Sequence, residues 1–242
     1  MPARGSSEKL RIRDLGYSIG GAWILSGVDA AASEGLVTAI VGPSGAGKST
    51  LLRTINRLIE PTSGEIYLDG EPTSQMDPLL LRRRVGMVFQ LPALFGDTVE
   101  EAILYGARLS GDESDTDAES LLRRVGLDGS FHGRTPRSLS VGQQQRVSVA
   151  RSLALRPQVL LMDEPTSSLD EAARRGMERL IRELVEGQGP TVILVSHDLD
   201  QVRRVADSVI LLSGGRSVGQ WPTREFFSEE AKEARKLVSE GA

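Results

Sequence analysis

Apolar and polar positions alternate at Leu10, Ile12 and Leu15, break at Gly20-Gly21, and resume at Ile24-Leu25. That pattern predicts a strand, a turn and a second strand. Leu36 to Val41 is a nearly continuous apolar run rich in β-branched residues, as a strand buried on both sheet faces requires. A glycine-rich loop follows at once. Behind it Leu51, Leu52, Ile55, Leu58 and Ile59 fall at helical spacing, and Pro61 to Gly64 supplies a stop. Short strands are predicted at Glu65 to Gly70 and at Val85 to Phe89, the latter ending at Gln90, with a polar helix containing Arg82 to Arg84 between them. From 91 to 155 the period turns helical, with candidate helices at Glu100 to Leu109, Asp115 to Val125 and Gly142 to Leu155. Buried-strand runs return at Val159 to Met162, Thr191 to Val195 and Ser208 to Leu212, and intervening helices make these βαβ units. The densest acidic stretch, Asp112 to Glu119, reads as a solvated helix start.

Composition narrows the class. The 242 residues suffice for one sizeable α/β domain, and 39% hydrophobic with 26% charged residues is ordinary for a globular protein. No apolar run approaches the roughly eighteen residues of a spanning helix. Met1 to Ser7 lacks the apolar stretch of a secretory signal, so a cytoplasmic location is expected. Without cysteine there is neither a disulfide framework nor thiolate chemistry. Lys plus Arg at 29 against Asp plus Glu at 33 leaves a net charge of -4, which argues against general nucleic-acid binding.

Three groups of residues carry candidate chemistry. Gly42-Pro43-Ser44-Gly45-Ala46-Gly47-Lys48-Ser49 matches G-x-x-x-x-G-K-[ST] and sits between a predicted strand and a predicted helix. Glycines there let backbone N–H groups turn toward phosphates, and the helix N-terminus adds a favourable dipole. Lys48 is expected on the β and γ phosphates, and Ser49 offers a hydroxyl to Mg²⁺. Asp163-Glu164 ends a buried strand, where α/β sheets place ligands. Asp163 is expected in the Mg²⁺ shell and Glu164 as general base toward an attacking water. His197 follows its own strand in the same way and is expected to contact the γ-phosphate, whereas His132 has no such setting.

These residues and their order resemble the nucleotide-binding subunit of ABC transporters, over nearly the whole chain. Leu139-Ser140-Val141-Gly142-Gln143-Gln144-Gln145-Arg146 is similar to the family signature LSGGQ, Gln90 resembles the Q-loop glutamine, Ser167-Ser168-Leu169-Asp170 the D-loop, and His197 the switch histidine. The resemblance implies a P-loop NTPase core with a mostly parallel sheet, an N-terminal antiparallel β subdomain and a helical insertion. It implies one domain over 8–236, with 8–90 and 156–222 forming the core and β subdomain, 91–155 the helical part, and 1–7 and 237–242 flexible. ATP is expected on residues 42 to 49 and Thr50, with Lys48, Gln90, Glu164 and His197 catalytic and Ser49, Gln90 and Asp163 on Mg²⁺. Ser140, Gly142, Gln143 and Asp170 are expected to meet ATP across a dimer. Val141 replaces the first glycine of the usual signature, while Gly142 retains the amide that approaches phosphate. The family's adenine-stacking aromatic is replaced by Ile19; Tyr17 is the nearest substitute, and Trp23 a weaker one.

The resemblance further implies an ATPase that dimerises on MgATP and drives a separate integral membrane permease from the inner face of the cell membrane. An ABC ATPase acting as a mechanical clamp is the alternative, and the absence of coiled-coil heptads and of a basic surplus leans against it. A small P-loop kinase leaves Leu139 to Arg146 unexplained. The compact Leu91 to Val99 segment resembles that of phosphate-uptake and iron-export ATPases.

Overall fold

The computed structural model describes residues 7–111, 117–186 and 189–239. Strands β1 (Glu8–Ile19) and β2 (Ala22–Ser33) form an antiparallel hairpin closed at Gly20-Gly21, and β3 (Val37–Val41) follows. Helix α1 (Lys48–Ile55) leads to β4 (Ser63–Leu68), the two-residue β5 (Glu71–Pro72), α2 (Pro78–Arg84) and β6 (Val85–Val88). Helices α3 (Val99–Ser110), α4 (Ala118–Arg124) and α5 (Val141–Leu153) come next. The chain then alternates β7 (Val159–Asp163), α6 (Glu171–Glu186), β8 (Thr191–Val195), α7 (Leu199–Val205) and β9 (Ser208–Ser213). It closes with β10 (Arg216–Pro222), α8 (Thr223–Phe226) and α9 (Lys232–Ser239).

Two sheets result. One is antiparallel in the order β2-β1-β4-β5, and the other runs β10-β9-β3-β8-β7-β6 with only the β9–β10 pair antiparallel. Side chains alternate across the central sheet: Val159 and Leu161 pack toward α1 and the antiparallel sheet, while Leu160 and Met162 pack toward α3, α5 and α6. Both faces are covered, which is why β3, β7 and β8 read as unbroken apolar runs. Val88 pairs with Met162, Met162 with Leu194, and Ile40 with Val195. This parallel register brings the loops after β3, β8, β7 and β6 to one edge of the sheet, the edge on which such folds bind ligands.

Some boundaries depart from the pattern. The helix expected to reach Ile59 ends at Ile55, because Arg57 takes a left-handed φ of 51° and its guanidinium turns back to Glu60 and to the carbonyls of Thr73 and Met76. The helix expected to reach Leu155 ends at Leu153, and Arg156 again has a positive φ. Residues 237–239, expected in a flexible terminus, belong to α9, and Val238 is buried against β9 and α7. Ser7 is likewise held, by its hydroxyl on Glu34 at 2.7 Å. Residues 1–6, 112–116 and 240–242, which include most of the acidic stretch, lie outside the described residues.

Candidate functional site

The loop from Gly42 to Ser49 is shaped by contacts only glycine permits. A Cβ on Gly42 would sit 2.0 Å from the Leu212 carbonyl oxygen, and one on Gly47, at φ +94°, would meet Leu25 at 2.7 Å. Gly47 caps α1, whose first turn carries no acidic residue of its own, and the N-terminal amides and dipole of the helix face the loop. Lys48 folds back to donate to the carbonyls of Gly42 and Pro43, both at 2.8 Å. Burial pushes its ammonium below the ordinary lysine value, against the opposing pull of Glu164 and Asp163. Residues 44 to 50, Ile24 and Glu164 line a cavity of about 370 Å³.

Asp163 ends β7 and is buried, and Ser49 Oγ donates to its Oδ1 at 2.8 Å. Burial raises the Asp163 carboxyl above the usual range, more than the Ser49 hydrogen bond and the Arg53 charge lower it. Glu164 follows in the left-handed region at φ 45°, a conformation costly for a non-glycine residue and held here by its amide on the Val195 carbonyl at 3.1 Å. Its Oε2 lies 3.1 Å from His197 Nδ1, and the His197 ring is 63% exposed. Glu164 separates the loop cavity from a second one of about 240 Å³ lined by Thr166, Ser167, Arg174, Ser196, His197 and Asp198. Gln201, fully buried on α7, ties these two loops together by donating to Thr166 Oγ1 and accepting from Ser196 Oγ, both at 2.8 Å. Gln90 is exposed at the end of β6, where its Nε2 donates to Ser167 Oγ at 3.3 Å.

Other expected residues lie elsewhere. Ser140 caps α5 in a reciprocal box: Ser140 Oγ accepts from the Gln143 amide at 3.3 Å, and Gln143 Oε1 accepts from the Ser140 amide at 2.9 Å. Gly142 packs toward Ala173 of α6, and Asp170 Oδ1 accepts from the Ala173 amide at 2.8 Å. None of Ser140, Gly142, Gln143 and Asp170 lines the loop cavity of its own chain. Tyr17 does not reach that cavity either; it packs partly against the core opposite Leu25, and Ile24 is the β2 side chain at the cavity wall. Trp23 is 57% exposed and lies across Gly16. Ile24 and Gln201 carry no motif and were not distinguishable by spacing. A further cleft, before β7 and β8 at the opposite sheet edge, holds none of the motif residues.

Residues 25–167, more than half of the chain, match the ABC transporter family. The chain belongs to that family. ABC transporter I family member 17 of Arabidopsis thaliana is 46% identical over 216 residues, covering 88% of this chain and 82% of that protein. The phosphate import ATP-binding protein PstB of Salinibacter ruber is 40% identical over 93% of this chain and 94% of its own. Among solved structures, cbiO1 of Clostridium perfringens, part of the ABC transporter complex cbiONQ, superposes with a TM-score of 0.80 at 32% identity, covering 97% of this chain and 98% of that one. The ATP-binding cassette MJ0796, dimeric in a post-hydrolysis state with ADP and Pi, gives 0.77 at 31% identity, covering 89% and 99%. This ABC protein is therefore an ATP-binding ATPase subunit, related to the ATP-binding subunits of importers. No helix among its described residues is long and apolar enough to cross a membrane.

Proposed function

We propose that two copies of this ABC ATPase close on MgATP, hydrolyse it, and drive solute movement through a separate integral membrane permease at the inner face of the membrane. The observation that carries this reading is the separation, within one chain, of the loop cavity from the capped N-terminus of α5. Each is half of a phosphate site, and a second copy supplies the other half.

In this reading residues 42 to 50 cradle the phosphates, and Lys48 leaves the Gly42 and Pro43 carbonyls for the β and γ phosphates. That transfer stabilises the ammonium, whose charge burial disfavours. Ser49 and Asp163 put hard oxygens side by side, a donor set that fits Mg²⁺, and Gln90 would add its amide oxygen as a further ligand. The ion, when bound, neutralises phosphate charge. Glu164 accepts the proton of the attacking water, and His197, held on Glu164 through Nδ1, presents Nε2 toward the γ-phosphate. Ser140, Gly142 and Gln143 receive the nucleotide of the second copy, with Asp170 beside them. The docking of a membrane partner is supported by exposed apolar side chains near the start of the helical region: Leu91, and Phe95 packed on Tyr105 with centroids 5.6 Å apart.

Replacing Glu164 by Gln removes the proton acceptor while keeping shape and hydrogen bonding. ATP binding should persist within about twofold while turnover falls at least ~100-fold, the usual contribution of a general base. The same variant, isolated with ATP from solubilised membranes of its host, should carry a polytopic membrane protein at comparable stoichiometry. Unchanged turnover would overturn the catalytic assignment, and only soluble partners would overturn the transport assignment.

A further inference from the structure

Helix α5 presents a polar stripe to β6 and the loop that follows it. Gln145, Ser148 and Ser152 recur at i, i+3 and i+7 and are 1%, 1% and 7% exposed, where a helix packed on a buried strand ordinarily carries apolar side chains. Ser152 Oγ reaches the Met87 carbonyl at 3.2 Å. Gln145 Nε2 donates to the Phe89 carbonyl at 2.9 Å, while Gln145 Oε1 and Ser148 Oγ are buried with no hydrogen-bond partner among the described residues. An amide kept in this place with half its capacity unused costs stability that an apolar side chain would not. Packing alone therefore does not account for it.

The carbonyl that Gln145 holds belongs to the residue immediately before Gln90. From there the contacts are contiguous: Gln90 Nε2 to Ser167 Oγ at 3.3 Å, then Ser167 Oγ to the Glu164 carbonyl at 3.1 Å. We propose that Gln145 is a positioning residue for ATP hydrolysis: its hydrogen bond to Phe89 sets Gln90, and through Ser167 the backbone of Glu164, in register with the helix whose N-terminus receives the second copy's nucleotide. The inference rests on the functional reading above. Contact of phosphate with the Ser140 end of α5 is then felt at Glu164 through Gln145, Gln90 and Ser167. The unused Oε1 is consistent with a side chain kept for its donor at this carbonyl rather than for its fit.

Two variants of the full chain test this. Gln145→Met keeps length and volume but loses the donor, and Gln145→Asn keeps the amide one methylene too short to reach. Both should bind ATP within about twofold of the parent and lose about tenfold in kcat at little change in KM, the signature of an interaction realised in the reaction rather than in binding. Combined with Ser167→Ala, neither should lose much more than Ser167→Ala alone, because the two act in one chain of contacts. Unchanged kcat, a loss confined to KM, or losses that multiply in the double variants would overturn the proposal, and so would unfolding of both variants, which would make the role structural. Glu164→Gln measured alongside separates the two readings. If it abolishes turnover, the Gln145 result judges this inference alone; if it does not, the assignment of Glu164 fails first and takes the inference with it.

Discussion

Asp163 shows what the site costs the fold. The residue is 4% exposed, and burial outweighs the Ser49 hydrogen bond in raising its pKa. With a folded value above the unfolded one, the unfolded chain binds fewer protons in the window between them, so stability falls as pH rises through it. The penalty is complete above the folded value and absent below about pH 4, where the unfolded carboxyl is itself protonated. Asp163→Asn, which can still accept from Ser49, should therefore stabilise the nucleotide-free protein at pH 7 by on the order of 1 kcal/mol, about 2–4 °C in Tm for a chain of this size, while abolishing hydrolysis. Thermal unfolding at pH 7 and near pH 4 checks it. A gain of equal size at both values, or a loss at pH 7, would sink the charge argument.

At the scale of elements, α5 carries the sharpest test, because Ser140 has two separable duties. Its hydroxyl caps the helix, and the proposed function adds contact with phosphate from a second copy. Ser140→Ala should lower Tm by about 2–4 °C, the equivalent of the ~1 kcal/mol a cap contributes, and reduce turnover as well. Ser140→Asp, an equally good cap, should keep the Tm yet lose turnover, since it puts a negative charge at a helix start that has no acidic residue in its first turn. Active Ser140→Asp protein would leave Ser140 with a purely structural duty. Legibility in the sequence follows the same division. Strands β3, β7 and β8 were readable because both sheet faces are covered, and the residues after them were readable as a site because a parallel register gathers such ends. Strand β10 was not, since its half-buried face carries Ser217 and Gly219 beside Trp221 while Val218 is exposed, so its apolar residues do not follow the pleat. The early end of α1 was invisible for another reason: Leu58 and Ile59 keep the helical spacing while Arg57 breaks the backbone through hydrogen bonds to distant carbonyls. Gln145 stood inside a recognised motif, but only the packing of α5 on the Phe89 carbonyl distinguishes it from its neighbours.

The whole molecule carries two helix N-termini that do not meet, and the proposed function makes each of them half of a phosphate site. Helix α1 offers its N-terminus to the loop cavity, and α5 offers its own N-terminus away from that cavity, each without an acidic residue in its first turn. In the proposed function a γ-phosphate held in one copy bridges to α5 of another, so association should depend on the triphosphate rather than on the nucleotide as such. The Glu164→Gln protein, which keeps ATP intact, should run in light scattering as a 26.1 kDa monomer without nucleotide and at twice that mass with ATP and Mg²⁺. With ADP it should stay monomeric, because the charge that α5 contacts has gone. Adding Ser140→Asp should prevent the doubling without weakening ATP binding, since the loop cavity is untouched. A monomer at saturating ATP would mean that the two surfaces serve different ligands, and a dimer equally strong with ADP would mean that something other than the γ-phosphate joins the copies.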